Sequence, residues 1–367
     1  MIPVNTPLLD GNEKRYLIEC IDSGWISSEG PFVNQFEDQM ASYMGREHAI
    51  ACANGSAALD IAIQALSLPL GSEVIMPTFT IISCAQSIIK NGLMPVAVDC
   101  DPRTFNVKVE DIASKVTSKT SAIMVVHLYG LTVDIQPILD LAKERNLKVI
   151  EDAAQMIGQE YRGKKCGSFG DISTFSFYPN KLITTGEGGM VLTNDIILDE
   201  RARKIRNLCF GQERFIHDEI GYNYRMTNLQ AAVGVAQLEK IERTITRKRE
   251  IGRLYNEALS DIASIHLPIP KTEYCENIYW VYPILLKDDE YRVSDIMNML
   301  QSKGIGTRPF FYPMHQQPVF NEMGLFKAVS LPNSEAIYKK GFYIPSGIAL
   351  QNEEIEYVSD AIREVLL

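Results

Sequence analysis

An α/β architecture is predicted for this chain, with a mixed, mostly parallel sheet in a large domain and a smaller α+β C-terminal domain. Three observations carry that expectation. Between residues 50 and 193, short apolar runs alternate with amphipathic helical ones, the pattern of strands joined by crossover helices. Beyond Asn228 the alternation gives way to one long helical stretch. The 367 residues, 46% of them hydrophobic, suffice for one large core and a smaller one.

The elements follow in order. Ala51-Cys-Ala-Asn-Gly55-Ser56 reads as the end of a short apolar strand turning through Asn-Gly into a helix with Leu59, Ile63 and Leu66 on one face. Glu73-Val-Ile-Met76, Pro95-Val-Ala-Val98 and Ser121-Ala-Ile-Met-Val-Val126 are strand candidates. Residues 135–145 form an amphipathic helix of the kind that crosses between parallel strands, and Lys148-Val-Ile-Glu-Asp152 is an apolar strand ending in an acid. Thr174-Phe-Ser-Phe177 and Gly189-Met-Val-Leu-Thr193 complete the strands of the large domain. Residues 229–259, rich in alanine and valine at first and charged later, read as helical, interrupted at most near Thr244. That stretch is expected to leave the large domain and enter the small one, dividing the chain into 1–245 and 246–367. The small domain is expected to hold strands at residues 279–286 and 305–311. Between them lies a helix with Val293, Ile296, Met297 and Leu300 on one stripe, and a last helix carries Ile355, Val358, Ile362 and Leu366 on one side.

Composition narrows the function. A formal net charge of −10 argues against general nucleic-acid binding, which needs a basic face. Seven scattered cysteines, none in a Cys-x-x-Cys spacing, suit reduced thiols better than disulfides or a metal site, so no metal is expected. The first residues lack the basic start and apolar core of a signal peptide, and no segment approaches a membrane span, so a cytoplasmic location and no membrane partner are expected.

The chemistry-bearing residues lie in three separate segments. Lys181 follows an alternating apolar strand and precedes Gly186-Glu-Gly-Gly189, so it sits at the mouth of the fold, where burial and nearby cations make an amine nucleophilic and able to form a Schiff base. Asp152 closes its strand and points into the crevice at the carboxyl end of the sheet. A carboxylate there is costly without a cationic partner. Gly55 and Ser56 open a helix, whose N-terminus binds anions, although taken alone they fit an ordinary turn and N-cap better. A lysine, a facing aspartate and an anion cradle together are what pyridoxal 5'-phosphate requires.

The ordered set of motifs resembles the DegT/DnrJ/EryC1/StrS family of sugar aminotransferases. The resemblance spans nearly the whole chain, through Ser23-Gly-Trp-Ile-Ser-Ser-Glu-Gly30, Asn54-Gly-Ser56, Pro77-Thr-Phe-Thr80, Val126-His-Leu-Tyr-Gly130, Ile150-Glu-Asp-Ala-Ala-Gln155, Gly221-Tyr-Asn-Tyr-Arg225 and Arg308-Pro-Phe-Phe-Tyr-Pro-Met-His315. It implies the aspartate aminotransferase-like fold (fold type I), pyridoxal 5'-phosphate, L-glutamate as amino donor and a nucleotide-linked 4-keto sugar as acceptor. The Trp-Ile-Ser-Ser, Asn-Lys-Leu-Ile-Thr-Thr-Gly and Arg-Pro-Phe-Phe-Tyr runs look most like members that aminate the C4 ketone of GDP-4-keto-6-deoxy-mannose for O-antigen sugars. Relatives acting on dTDP- or UDP-linked sugars share most of these words.

Residue roles implied by the resemblance are these. Lys181 tethers the cofactor and moves protons; some relatives carry histidine there and dehydrate instead. Asp152 faces the ring nitrogen and Gln155 the phenolic oxygen, although Gln155 also reads as a plain polar helix residue. Ser176 joins Gly55 and Ser56 at the phosphate. Asn223 reaches from a partner subunit to the phosphate, implying a homodimer with shared active sites, or else it is a turn residue. Trp25, Tyr312 and His315 border the sugar site, with Trp25 equally a core anchor and His315 not expected to be catalytic. Ile81 stands where the family commonly has an aromatic ring over the cofactor. Two rivals remain at this point, a lyase or dehydratase of the same fold and a non-catalytic regulatory or binding protein, for which no recognition-helix pattern is visible.

Overall fold

The computed structural model describes residues 1–213, 215–287 and 291–366. The large sheet contains seven strands: β1 (His48–Cys52), β2 (Glu73–Pro77), β3 (Met94–Val98), β4 (Thr120–Val126), β5 (Lys148–Asp152), β6 (Ile172–Ser176) and β7 (Gly189–Thr193). Their spatial order is β1-β7-β6-β5-β4-β2-β3. The pairs from β6 across to β3 are parallel, while β7 runs antiparallel to both its neighbours. Two reversals restore the direction, so β1 points the same way as β6. The carboxyl ends of β1, β2, β4, β5 and β6 therefore open on one edge, which is where ligands bind in sheets of this class.

Helices cover both faces. Most of β4 and β5 is buried, and this accounts for their near-continuous apolar sequence. Polar residues inside this layer are paired. Glu151, whose side chain faces away from that of Asp152, accepts from Nε2 of His127 (3.0 Å) and from the amides of Phe169 (2.9 Å), Gly170 (3.2 Å) and Gly167. His127 Nδ1 accepts from the Val133 amide at 3.0 Å, so its proton sits on Nε2 and points at Glu151. Burial pushes the Glu151 carboxyl up, and the His127 imidazole and the backbone amides outweigh that and hold it below its ordinary value. Glu151→Ala strands these donors and is expected to destabilise the protein by about 3–5 kcal/mol. A urea-unfolding curve that superposes on the parent's would contradict that.

The small lobe is built on an antiparallel sheet of β8 (Ile265–His266), β9 (Tyr282–Leu286), β10 (Arg308–Pro309) and β11 (Gly341–Ile344), in the order β8-β9-β11-β10. Tyr255, Tyr282, Phe342, Leu300 and the Ile355/Val358/Ile362 stripe of the last helix (Asn352–Leu366) form its core. The expected strand at 305–311 is split between two partners: Ile305 bridges in parallel to Ile2, and Arg308–Pro309 pairs antiparallel with β11.

The long helical stretch is two helices, α1 (Asn228–Leu238) and α2 (Ile241–Leu259), and the break falls at Lys240 rather than Thr244. Thr227 and Gln230 form a capping box that starts α1. At the break, Lys240 reaches back to Asp10 (2.6 Å) and Glu13 (2.8 Å), pinning the N-terminal segment to the junction. Ile241 and Ile245 pack on the large core, and Ile251, Tyr255 and Leu259 pack on the small one. Phe310, Met314, Phe320 and Ile337, far along the chain, return to the large core. Among the described residues no helix is long and apolar enough to cross a membrane.

Candidate active site

Asp152 ends β5 on the open edge. Its Oδ1 accepts from the Ala154 amide (3.0 Å) and its Oδ2 from the thiol of Cys84 (3.3 Å), whose sulfur lies 3.5 Å from Thr80 Oγ1. Burial pushes the carboxyl upward, against the pull of the Ala154 amide, Cys84 and the charge of Lys181. An ionised Asp152 needs a cation brought to it.

Lys181 stands in the loop after β6. The loop is held by backbone bonds from Lys181 to Tyr178 (2.9 Å) and from Thr185 to Phe177 (3.0 Å), and by Thr184 Oγ1 donating to the Phe177 carbonyl (2.8 Å). The Nζ of Lys181 lies 4.1 Å from the centroid of the Trp280 ring. Burial draws its pKa down to about 8, with the charge of Asp152 pulling the other way. Only the neutral amine attacks a carbonyl. Reductive labelling of Lys181 by a small aldehyde is therefore expected to rise about tenfold per pH unit up to pH 8 and then level off, while exposed lysines keep rising towards pH 10. Mass spectrometry of the Lys181 peptide checks it, and a profile still climbing at pH 10 would contradict it.

The third element is the turn after β1. Asn54 caps the next helix, Gly55–Ala65: its Oδ1 accepts from the Ala57 amide at 2.9 Å, and the first intrahelical bond runs from Ala58 to Asn54. The amides of Gly55 and Ser56 precede that bond and face the edge. A Cβ on Gly55 would come within 2.8 Å of Ser176 Cβ and 3.1 Å of its Oγ, so Gly55 and Ser176 line one concavity that only glycine leaves open. Gly189 serves the same turn, since a Cβ there would meet the Asn54 carbonyl oxygen at 2.3 Å. Ser56 Oγ and Ser83 Oγ are 2.7 Å apart, which brings the start of Ile82–Lys90 to the same point.

The other sequence candidates are placed as follows. Gln155 is buried and its Oε1 accepts from the Tyr129 amide at 2.8 Å. Asn223 is exposed, with its Oδ1 accepting from Arg225 Nε (3.0 Å), in a segment that docks on the exit of β1 through the Ala53 amide and the Tyr224 carbonyl (2.7 Å). Trp25 is 50% exposed and not a core anchor; Ile81 is nearly as exposed. Tyr312 packs edge-on against Tyr338 at 4.8 Å. The structure turns His315 inward: Nδ1 meets Thr78 Oγ1 at 2.8 Å and Nε2 meets Glu335 Oε1 at 3.0 Å, so neither ring nitrogen is left for a sugar. Among the described residues no group of three or more His, Cys, Asp or Glu side chains could hold a metal ion.

The pattern that defines the DegT/DnrJ/EryC1/StrS aminotransferase family matches residues 7–363. The chain belongs to that family. It is 44% identical to the GDP-perosamine synthase of Escherichia coli O157:H7 over 364 residues, covering 99% of this chain and 98% of that protein. It is 42% identical to the GDP-perosamine synthase of Vibrio cholerae over 367 residues, again covering 99% and 98%. Among solved structures, the aminotransferase TlmJ from Streptoalloteichus hindustanus superposes with a TM-score of 0.93 at 28% identity, covering 100% of this chain and 99% of that one.

For this aminotransferase, sequence reasoning missed Trp280 and Cys84, the side chains that touch Lys181 and Asp152. Trp280 lies in a run that reads only as a strand, and Cys84 in a helix where a thiol passes for core filler. Neither carries a local signal, because each contact is made across the fold.

Proposed function

We propose that this aminotransferase uses pyridoxal 5'-phosphate to move the amino group of L-glutamate to the C4 ketone of GDP-4-keto-6-deoxy-mannose, giving 2-oxoglutarate and GDP-perosamine. The observation that carries the substrate is the pair of full-length relatives of that name at 42% and 44% identity. The residues fit the cofactor: a concavity that a Cβ at Gly55 would close, an acid whose burial calls for a cation, and an amine drawn down to about 8. When bound, the cofactor's ring takes up electrons from the carbon that is losing a proton.

The chain's own residues then divide the work. Lys181 tethers the cofactor and, once released, carries the proton away from the donor's α-carbon and later delivers one to the sugar's C4. Asp152 keeps positive charge at the ring nitrogen. Ser176 and the amides of Gly55 and Ser56 hold the phosphate, as Asn223 does from a partner subunit in a homodimer, and Gln155 stands beside the phenolic oxygen. Trp25 and Tyr312 are the sugar-facing candidates.

The test incubates the purified protein with glutamate and, separately, the GDP-, dTDP- and UDP-linked 4-keto-6-deoxy sugars, following 2-oxoglutarate and the amino sugar by mass. One equivalent of each product with the GDP sugar alone is the expected result. Product with a dTDP or UDP sugar instead would replace the substrate and keep the transamination; no 2-oxoglutarate with any of them would overturn both.

A further inference from the structure

Trp280 is 5% exposed and precedes β9, in the part of the chain that leads into the small lobe. Four contacts fix it. Its Nε1 donates to the carbonyl of Asn180 at 2.9 Å, the residue next to Lys181. Its own carbonyl accepts from Lys248 Nζ of α2 at 3.0 Å, and Lys248 also donates to the Ser346 carbonyl. One side of the indole stacks with Tyr129, centroids 6.2 Å apart and planes inclined by 30°. The ring also carries the Lys181 ammonium at 4.1 Å.

A lysine side chain loses much rotamer freedom when it is held in one place, and an amine released in mid-cycle would wander without a second anchor. We propose that Trp280 is the positioning residue for Lys181: it holds the free amine on the face of the indole and ties the loop that bears it to the small lobe. The proposal rests on Lys181 being the reactive amine. The aromatic face attracts the cation, and the Asn180 bond keeps that face turned towards it.

Other titrating groups near this contact are Asp152 from β5, which faces Lys181 and is itself bonded to Cys84, and Lys248 from α2, behind the Trp280 backbone, which burial draws down to about 7. Tyr129 is the phenol stacked on the indole, and burial pushes its hydroxyl far up.

Trp25 and Trp280 are the two tryptophans of the chain, so Trp25→Phe leaves Trp280 as the sole indole reporter. In that cofactor-free protein the fluorescence is expected to titrate with a midpoint near pH 8, and adding Lys181→Met is expected to abolish that transition. A transition surviving Lys181→Met belongs to Lys248, and that result, or a flat profile in both proteins, would overturn the contact. This arm needs neither cofactor nor substrate, so it stands whether or not the proposed reaction does.

The positioning role is read by aldehyde labelling of Lys181. Trp280→Leu keeps an apolar cover without the negative face, so the labelling midpoint is expected to fall by about one pH unit, while Trp280→Phe holds it near the parent value. In turnover, Trp280→Leu is expected to lower kcat about tenfold with KM within about twofold, and Trp280→Phe to recover most of it. A purely structural role would lower thermal stability and leave the midpoint in place. An unchanged or raised midpoint in Trp280→Leu would refute the proposal.

Discussion

Replacing Lys181 by alanine is expected to abolish amino transfer. Proton transfer by a positioned group is worth on the order of 10²–10⁴-fold by itself, and the tether is lost with it. Among the described residues, Lys181 lies over the Trp280 ring and interacts with the charge of Asp152, while Lys248 is committed to the carbonyls of Trp280 and Ser346. Borohydride reduction of the loaded parent is expected to add the cofactor's mass to the Lys181 peptide, and the alanine variant is expected to show no such adduct. Lys181→Arg is expected to fail equally, since guanidinium stays protonated and is no nucleophile. Turnover surviving in either variant would remove Lys181 from the chemistry.

Asp152→Asn is expected to have the second largest effect. The substitution keeps the shape and removes the negative charge that a cationic ring nitrogen would meet in a buried site. Leaving one member of such a pair unmatched costs about 3–5 kcal/mol, or on the order of 10²–10³-fold in turnover or cofactor retention. A second readout needs no cofactor. The charge of Asp152 raises the pKa of Lys181 against the effect of burial. Its removal therefore shifts the aldehyde-labelling profile of Lys181 to a midpoint below 8. Kinetics within threefold of the parent, with an unmoved profile, would show that Asp152 does neither job.

Much of the architecture was legible because it depends on short-range periodicity. The strands of the large sheet follow from apolar runs of the right length, and the last helix from a stripe at helical spacing. Thr244 was a poor guide to the helix break because Lys240 answers to Asp10 and Glu13, more than 220 residues away along the chain. The strand expected at 305–311 is divided because its partners lie elsewhere in the chain, Ile2 at one end and β11 at the other. His315 illustrates the same limit: its environment is Thr78 and Glu335, and nothing beside it in the sequence announces either.

By itself the sequence determined the fold class and singled out Lys181, Asp152, Gly55 and Ser56 as candidate site residues, because each closes or follows an element whose pattern is local, while Ser176 joined them through the family resemblance. The tertiary structure decided what stands next to them. Two reversals around β7 bring the ends of β1, β5 and β6 to one edge, and only then do the Gly55 turn, the Asp152 carboxylate and the Lys181 loop open on the same edge. It also decided that Cys84 meets Asp152 and that Trp280 meets Lys181. Their effect on the amine and the acid falls off with distance in space, which the chain's numbering does not measure.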